Sequence, residues 1–131
     1  MTSWIIPCNI KYYDVMGAFN KLSKLDWKQS TNIENGDLVY IYVGKPYQSV
    51  MFKCRVNKVN LPVVEIDDSE FVISGDVYVN YGNYMELELL AKYTSGSLSF
   101  DRLVECGLTG RIYGPRRASG AVLELLSSEE A

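Results

Sequence analysis

Residues 38–43, with the sequence LVYIYV, restrict the fold of this chain more than any other segment. The segment is an almost unbroken run of β-branched and aromatic residues, with no polar residue at alternate positions. A run of this kind is typical of a strand that is covered on both of its faces. Asn35, Gly36 and Asp37 come directly before it and predict a turn. The sequence therefore predicts a central strand that starts at a tight turn.

The next segment predicts the neighbour of this strand. Residues 44–49, GKPYQS, turn the chain, and residues 50–59 then alternate between two faces. One face is apolar (Val50, Phe52, Cys54 and Val56) and the other is basic or polar (Lys53, Arg55 and Asn57). The two segments predict a hairpin formed by residues 38–43 and 50–59, with a basic outer face.

Two stretches nearer the start of the chain also have a clear pattern. Residues 3–9, SWIIPCN, predict a short buried strand that stops near Asn9. Apolar residues then recur at steps of three and four, which predicts a helix that begins after an Asp14 N-cap and ends near Leu25. The polar residues 26–37 predict a loop that leads to the turn before the central strand.

The second half of the chain predicts a strand, a helix and a further extended segment. Residues 84–93, YMELELLAKY, alternate with their apolar side chains inward. Ser99 is expected to cap a short helix over 100–106, and Gly107 is expected to end it. Residues 119–125 predict a last strand or extended piece.

The end of the chain and one internal segment complete the predicted order. Ser127 and Glu130 have the spacing of a capping box, which predicts a helix that is unfinished at residue 131, so we expect part of a C-terminal tail to be missing. Residues 61–83 predict short strand pieces separated by acidic turns. We expect a single α+β domain over residues 1–131, with five or six strands in a small, strongly bent sheet or barrel and short helices at the crossings.

Composition agrees with one intracellular domain. The chain has 131 residues, of which 47% are apolar, which is enough for one core and too little for two. The sequence contains no apolar run long enough to span a membrane and no signal peptide. Its three widely spaced cysteines argue against a disulfide framework and predict small buried side chains in a reducing cytoplasm.

The absence of histidine removes most catalytic and metal-binding arrangements. A Ser-His-Asp or Cys-His site lacks its proton-shuttling member, and no Cys-x-x-Cys pair is available for zinc. No glycine-rich phosphate loop is present. Glu86, Glu88 and Lys92 are the nearest group to a metal nuclease site, and they fit strand alternation better. We therefore expect no enzyme activity, no metal and no cofactor.

Charge is distributed unevenly along the chain. The net charge is −3, but residues 61–105 carry −7 and the remainder carries +4. Arg111, Arg116 and Arg117 lie in a stretch over 109–120 that contains no acidic residue. The pattern predicts a two-sided molecule with one basic face, although scattered and fully solvated charges would give the same count.

The order of these features resembles that of an EVE domain, a member of the PUA-like superfamily that is related to the YTH domains. The features are the initial Trp-Ile-Ile-Pro-Cys-Asn, the helix, Trp-x-x-Ser at 27–30, the Gly-Asp strand with Tyr42, and the late Gly-Pro-Arg-Arg run into a terminal helix. The resemblance spans essentially the whole chain. It implies a small curved β-barrel of mixed strands flanked by short helices. It also implies a pocket lined by aromatic residues for a modified base that is swung out of its strand.

The resemblance assigns candidate roles to individual residues. Polar groups of the pocket would come from Cys8 and Asn9 at the end of the first strand, and Trp27 would supply an aromatic wall. Hydrogen bonds to the base would come from Lys28, Gln29 and Ser30, and Tyr42 matches an aromatic residue of the family. The basic residues Arg111, Arg116 and Arg117 would contact the nucleic-acid backbone. Several of these residues also have a purely structural interpretation: Cys8, Trp27 and Tyr42 as core residues, Asn9 as a turn residue, and Arg116 and Arg117 as solvated side chains.

The sequence departs from the family in its first strand, and it does not identify the residue that supplies a second aromatic wall. Many EVE domains have Lys-Ser-Glu-Pro where this chain has Pro7-Cys8-Asn9-Ile10, so its ligand is expected to differ. Tyr78, Tyr81 or Tyr84 would supply a second aromatic wall, and the sequence does not choose among them.

The resulting hypothesis is a non-catalytic module that binds modified DNA or RNA, for example DNA with a 5-methylcytosine derivative. We expect no association with a membrane, and an effector protein as a further partner. The alternatives are a pocket for a small molecule or nucleotide, and an RNA-directed enzyme or toxin–antitoxin component. The oligomeric state is left open.

Overall fold

A computed structural model of the chain describes residues 2–11, 13–29, 32–62, 83–94 and 96–128. The strands are β1 (Ser3–Cys8), β2 (Lys24–Gln29), β3 (Leu38–Val43), β4 (Ser49–Pro62), β5 (Asn83–Lys92) and β6 (Arg116–Arg117). The helices are α1 (Val15–Lys21), α2 (Phe100–Glu105) and α3 (Gly120–Ser128). No helix in these ranges is long and apolar enough to cross a membrane.

The strands form one mixed sheet in the order β2-β5-β4-β3-β1-β6. The strands β1 and β3 are parallel, with Cys8 opposite Val43 at their carboxyl ends, and all other neighbours are antiparallel. Within the described ranges the two edge strands, β2 and β6, do not pair with each other, so the sheet is open. A mixed six-stranded sheet with three short helices confirms the predicted fold class.

The sheet separates two hydrophobic clusters. One cluster packs α1 against one face and includes Ile6, Ile41 and Phe19. The other packs the segments around α2 and α3 against the opposite face and includes Ile5, Tyr40 and Leu126. Adjacent residues of β1 and of β3 belong to different clusters because successive side chains of a strand point to opposite faces. This confirms that residues 38–43 are covered on both sides.

The predicted helix caps are present in the structure. Gly17 N donates a hydrogen bond of 3.0 Å to Oδ1 of Asp14, which caps α1. Arg102 N donates one of 3.2 Å to Oγ of Ser99, which caps α2. Gly107 follows α2 with a φ of +107°, a left-handed conformation that glycine adopts without strain.

The predicted end of the first helix was wrong, and so was the first part of the predicted loop, residues 26–29, whereas residues 32–37 form a loop and turn as predicted. The helix α1 stops at Lys21, and Leu22 already has an extended backbone. Residues 24–29 then form β2, which pairs with β5 and places Trp27 opposite Met85. Pairing with a strand about sixty residues later therefore overrides the local helical pattern, and Leu25 is buried as a strand residue.

The C-terminal segment was also predicted wrongly. Residues 119–125 were expected to be extended and a helix was expected to begin at Ser127. The structure instead has α3 over 120–128, with Val122 and Leu126 buried at a helical spacing of four. Ser127 lies inside this helix, and Glu130 lies outside the described residues. Most of the segment predicted as short strands and acidic turns, residues 63–82, is also outside them.

Candidate functional site

A pocket of about 480 Å³ opens at the carboxyl ends of β1 and β3. Because these strands are parallel neighbours, the segments that leave them lie side by side, and Gly44 N donates a hydrogen bond of 3.1 Å to the carbonyl of Cys8. The lining residues come from these two segments and from the loop before β6: Pro7, Cys8, Asn9, Lys11, Tyr42, Gly44, Lys45, Ile112 and Tyr113. The structure thus brings together three of the predicted ligand-binding residues, namely Cys8, Asn9 and Tyr42.

Cys8 is a buried, neutral part of the pocket. Its side chain is 4% exposed, and Sγ donates a weak hydrogen bond of 3.8 Å to the carbonyl of Tyr13. Burial, with a smaller contribution from the nearby Asp14 carboxylate, raises the pKa of the Cys8 thiol to about 12. Since the thiolate is the reactive form, Cys8 is suited to be a wall of the pocket and not a nucleophile.

Asn9 is exposed at the rim of the pocket. Its Oδ1 accepts a hydrogen bond of 2.9 Å from Lys11 N, which forms a side-chain turn directly after β1. This hydrogen bond orients the amide group and uses one of the two lone pairs of its oxygen. Asn9 can offer the NH2 group of the same amide to a ligand as a donor.

Tyr42 is half-buried at the end of β3. Its ring packs edge-on against Phe100, with the ring centroids 6.2 Å apart. Burial raises the pKa of the Tyr42 phenol above its ordinary value, Arg111 opposes the shift, and Asp101 adds to it. The phenol therefore stays neutral near pH 7, where it can both donate and accept a hydrogen bond.

The sequence did not single out Lys11, Lys45 or Tyr113 as pocket residues. The ring of Tyr113 is 85% exposed, whereas the preceding Ile112 is 8% exposed and is part of the second cluster. Ile112 thus anchors the loop and presents Tyr113 beside Tyr42. The sequence signal for Tyr113 was an aromatic residue in a loop with Gly110, Arg111 and Gly114. This signal does not place Tyr113 in the pocket, because its position depends on where the loop packs.

Trp27 and Gln29 are not among the lining residues of this pocket and lie on the edge strand β2. Trp27 packs against the first cluster. The Gln29 side chain accepts a hydrogen bond of 2.8 Å from Asn60 N and donates one of 3.3 Å to Asn60 Oδ1, so its amide holds β2 to β4. The Lys28 side chain and Ser30 are outside what the structure describes, and the proposed hydrogen bonds of these residues to a base stay predictions.

The candidates for a second aromatic wall are only partly described. Tyr84 is 2% exposed and lies opposite Lys28 in the pairing of β2 with β5. Tyr78 and Tyr81 lie outside the described residues. The aromatic residue that the structure places beside Tyr42 at the pocket is Tyr113.

The three arginines predicted to contact the nucleic-acid backbone have different surroundings. The guanidinium of Arg117 lies over the ring of Trp4, 5.3 Å from its centroid. Arg116 donates a hydrogen bond of 2.7 Å to the carbonyl of Thr109. Arg111 is exposed, and its charge acts on Tyr42. Arg111 is therefore the one of the three that the structure ties to the pocket electrostatically.

Clustered metal ligands are not seen in the described part of the chain, where no three His, Cys, Asp or Glu side chains come together in a group that could hold an ion. Glu88 of the acidic group considered above forms an ion pair of 2.7 Å with Arg55. The role of Glu88 is therefore a cross-strand ion pair on the surface of the sheet.

Comparison with known proteins identifies the type of fold. No protein-family model and no curated protein matches the sequence. The solved structures that are similar over nearly their full length include three from different organisms. ASCH from Zymomonas mobilis is 10% identical, with a TM-score of 0.67 over 99% of this chain and 96% of that chain. A protein from Pseudomonas putida is 11% identical, with a TM-score of 0.66 over 96% and 97%. A hypothetical protein from Leishmania major is 14% identical, with a TM-score of 0.65 over 97% and 92%.

ASCH domains belong to the PUA-like superfamily. The fold that the resemblance implied is therefore confirmed, whereas membership of the EVE family is not. The chain has the PUA-like fold.

Proposed function

We propose that this protein is a non-catalytic module that binds single-stranded nucleic acid and holds one nucleotide in the pocket at the ends of β1 and β3. The observation that carries this proposal is the composition of the pocket. Its lining combines two tyrosines, two lysines and one asparagine, and no carboxylate is among the lining residues. A volume of about 480 Å³ falls in the range of pockets that enclose a small organic molecule.

The two tyrosines supply surfaces for a base. An extruded base loses its stacking partners, and an aromatic side chain replaces them at about 1–3 kcal/mol per base. The Tyr113 ring is almost entirely exposed, which is unfavourable for an aromatic side chain unless a ligand covers it. Tyr42 packs edge-on against Phe100 and lines the same pocket.

The basic residues supply contacts for phosphate. Lys11 and Lys45 are both exposed at the pocket, and Arg111 acts on Tyr42 from nearby. Contacts of this kind position the backbone of a nucleic acid without reading its sequence. They also account for nucleic-acid binding by a chain whose net charge is negative, because the local field at the pocket is positive.

Recognition of a modified base is the finer part of the proposal. The NH2 group of Asn9 can donate to a base edge. Pro7, Cys8 and Ile112 add apolar surface on which a methyl group gains about 0.8 kcal/mol by burial. The neutral Cys8 thiol and Tyr42 phenol, in a chain without histidine, support binding without catalysis.

A binding screen with a salt titration tests the proposal. Short single- and double-stranded oligonucleotides with methylated and hydroxymethylated bases are measured by fluorescence anisotropy. We expect single strands to bind, with an affinity that falls steeply as salt is added. Tyr113→Ala should weaken binding about tenfold, and Tyr113→Phe should retain it, because the ring is what stacks.

Matched lysine variants locate the binding surface. Lys45→Gln should weaken binding, whereas Lys58→Gln should not, because Lys58 is an exposed lysine near the other end of β4. Equal effects of the two variants would mean that binding follows net charge and not the pocket. Failure to bind any oligonucleotide would favour a small-molecule pocket, and release of a product would contradict a non-catalytic role.

A further inference from the structure

A second, smaller pocket lies between the turn that joins β3 to β4 and the start of α2. Its volume is about 190 Å³, and it is lined by Tyr47, Gln48, Ser99, Phe100 and Asp101. The turn between β3 and β4 joins the two pockets, because Gly44 and Lys45 line the larger one and Tyr47 and Gln48 line the smaller one. Phe100 N donates a hydrogen bond of 2.9 Å to the carbonyl of Gln48, which ties this turn to the start of α2.

Aromatic side chains line both pockets, and one ring contact links them. Tyr113 and Tyr42 line the larger pocket, Phe100 packs edge-on against Tyr42, and Phe100 and Tyr47 line the smaller pocket. Alternating aromatic surfaces beside cationic groups are the usual means by which proteins follow a single strand without reading its sequence. The arrangement has room for more than one base.

The two pockets differ in charge. The larger contains Lys11 and Lys45, whereas the smaller contains the exposed carboxylate of Asp101 and no basic residue among its lining residues. Asp101 is close enough to Tyr42 to raise its pKa, and Arg111 opposes this effect. A phosphate is therefore favoured at the larger pocket and disfavoured at the smaller one, which is suited to a hydrogen-bond donor.

We propose that the smaller pocket is a second nucleotide subsite, which takes the base next to the nucleotide in the larger pocket and prefers a base with an exocyclic amino group. The carboxylate of Asp101 accepts a hydrogen bond from such a group, as carboxylates do from the amino group of cytosine. Thymine and uracil have a carbonyl oxygen at that position, which the carboxylate repels. The proposal rests on the proposed function, because it needs the strand to enter through the larger pocket.

Single-stranded octamers with one central 5-methylcytosine test the subsite in the intact protein. Their two flanking positions are both adenine, both cytosine or both thymine, and the other positions are constant. We expect adenine and cytosine flanks to bind about tenfold more tightly than thymine flanks, as for one hydrogen bond to a charged acceptor. Asp101→Asn should remove most of this preference. Its affinity for the octamer with thymine flanks should stay within about twofold of that of the unsubstituted protein, or rise.

Glu105→Gln is the matched control, since Glu105 is an exposed carboxylate at the end of the same helix. Equal affinity for all three flanks, or the same effect of Asp101→Asn and Glu105→Gln, would overturn the second subsite and leave the proposed function standing. Failure of every octamer to bind, and of the same octamers with unmodified cytosine at the centre, would overturn both the second subsite and the proposed function.

Discussion

The indole of Trp27 lies edge-on against the ring of Tyr13, with the ring centroids 5.3 Å apart and the ring planes at 78°. Tyr13 is 3% exposed and belongs to the cluster beneath α1. Trp27 thus covers the margin of this cluster from the edge strand β2. This contact accounts for a tryptophan in a polar stretch through packing, in an edge-to-face geometry that is favourable for aromatic pairs.

Trp27→Ala is therefore expected to lower the free energy of unfolding by about 2–3 kcal/mol, somewhat less than for a fully buried aromatic residue. Trp27→Phe should lose less than half of that, because it keeps an aromatic ring beside Tyr13. Urea denaturation measures both values. An unchanged stability together with a complete loss of oligonucleotide binding by Trp27→Ala would contradict this expectation and support the stacking wall that the sequence predicted.

The parts of the fold that could be predicted are those whose signal is local. The run over 38–43 is apolar at every position because it is buried on both faces, and Asp14 and Ser99 cap helices within their own first turn. The strand β2 has no comparable local signal. Its sequence, KLDWKQ, does not alternate clearly, and its conformation is fixed by pairing with β5.

The same distinction holds for the site. Cys8, Asn9 and Tyr42 come together because two parallel neighbouring strands end at the same edge, and the resemblance to a known family placed them there. Tyr113 could not be assigned to the pocket, because its position depends on how Ile112 packs into the second cluster. That contact joins distant parts of the chain, and nothing in the residues around 112 specifies it.

Asp37 is expected to be important for stability although it lies in the turn before β3. Its carboxylate is 3% exposed and accepts hydrogen bonds from Thr2 N at 3.0 Å, Trp4 Nε1 at 3.0 Å and Glu34 N at 3.1 Å. Asp37→Asn replaces one acceptor oxygen by a donor, and it should lower the free energy of unfolding by about 2–4 kcal/mol. Glu34→Gln, at an exposed position in the same turn, should change it by less than about 0.5 kcal/mol.

The same carboxylate predicts a pH dependence of stability. Burial alone would raise the pKa of Asp37, but the hydrogen bonds from Thr2, Trp4 and Glu34 outweigh it and hold the pKa below the ordinary value of 3.8. A group with a lowered pKa stabilises the fold above its unfolded pKa, and this contribution is lost as the pH falls. Denaturation between pH 7 and about pH 2 should show a loss that is smaller in Asp37→Asn. Parallel curves for the two proteins would contradict the assignment.

The three cysteines should differ in reactivity. Cys8 and Cys54 are buried, and burial raises the pKa of both thiols, whereas Cys106 is partly exposed. We expect 5,5′-dithiobis(2-nitrobenzoate) at pH 8 to modify one thiol of the native protein quickly and all three in denaturant. Rapid modification of Cys8, located by peptide mass spectrometry, would contradict its role as a protonated wall of the pocket.

The arginines provide a test that separates contacts to nucleic acid from contacts within the protein. Arg111 is exposed near Tyr42, so Arg111→Gln should weaken binding and lower the slope of log affinity against log salt by about 0.7, the value for one phosphate contact on a single strand. The Arg117 guanidinium already lies over Trp4, so Arg117→Gln should mainly reduce stability, by about 0.5–1 kcal/mol. Salt titrations and urea denaturation of both variants measure the two effects. The reverse result would be a lower salt slope in Arg117→Gln and no change of slope or stability in Arg111→Gln. It would mean that phosphates bind at the β6 edge of the sheet and not at the pocket.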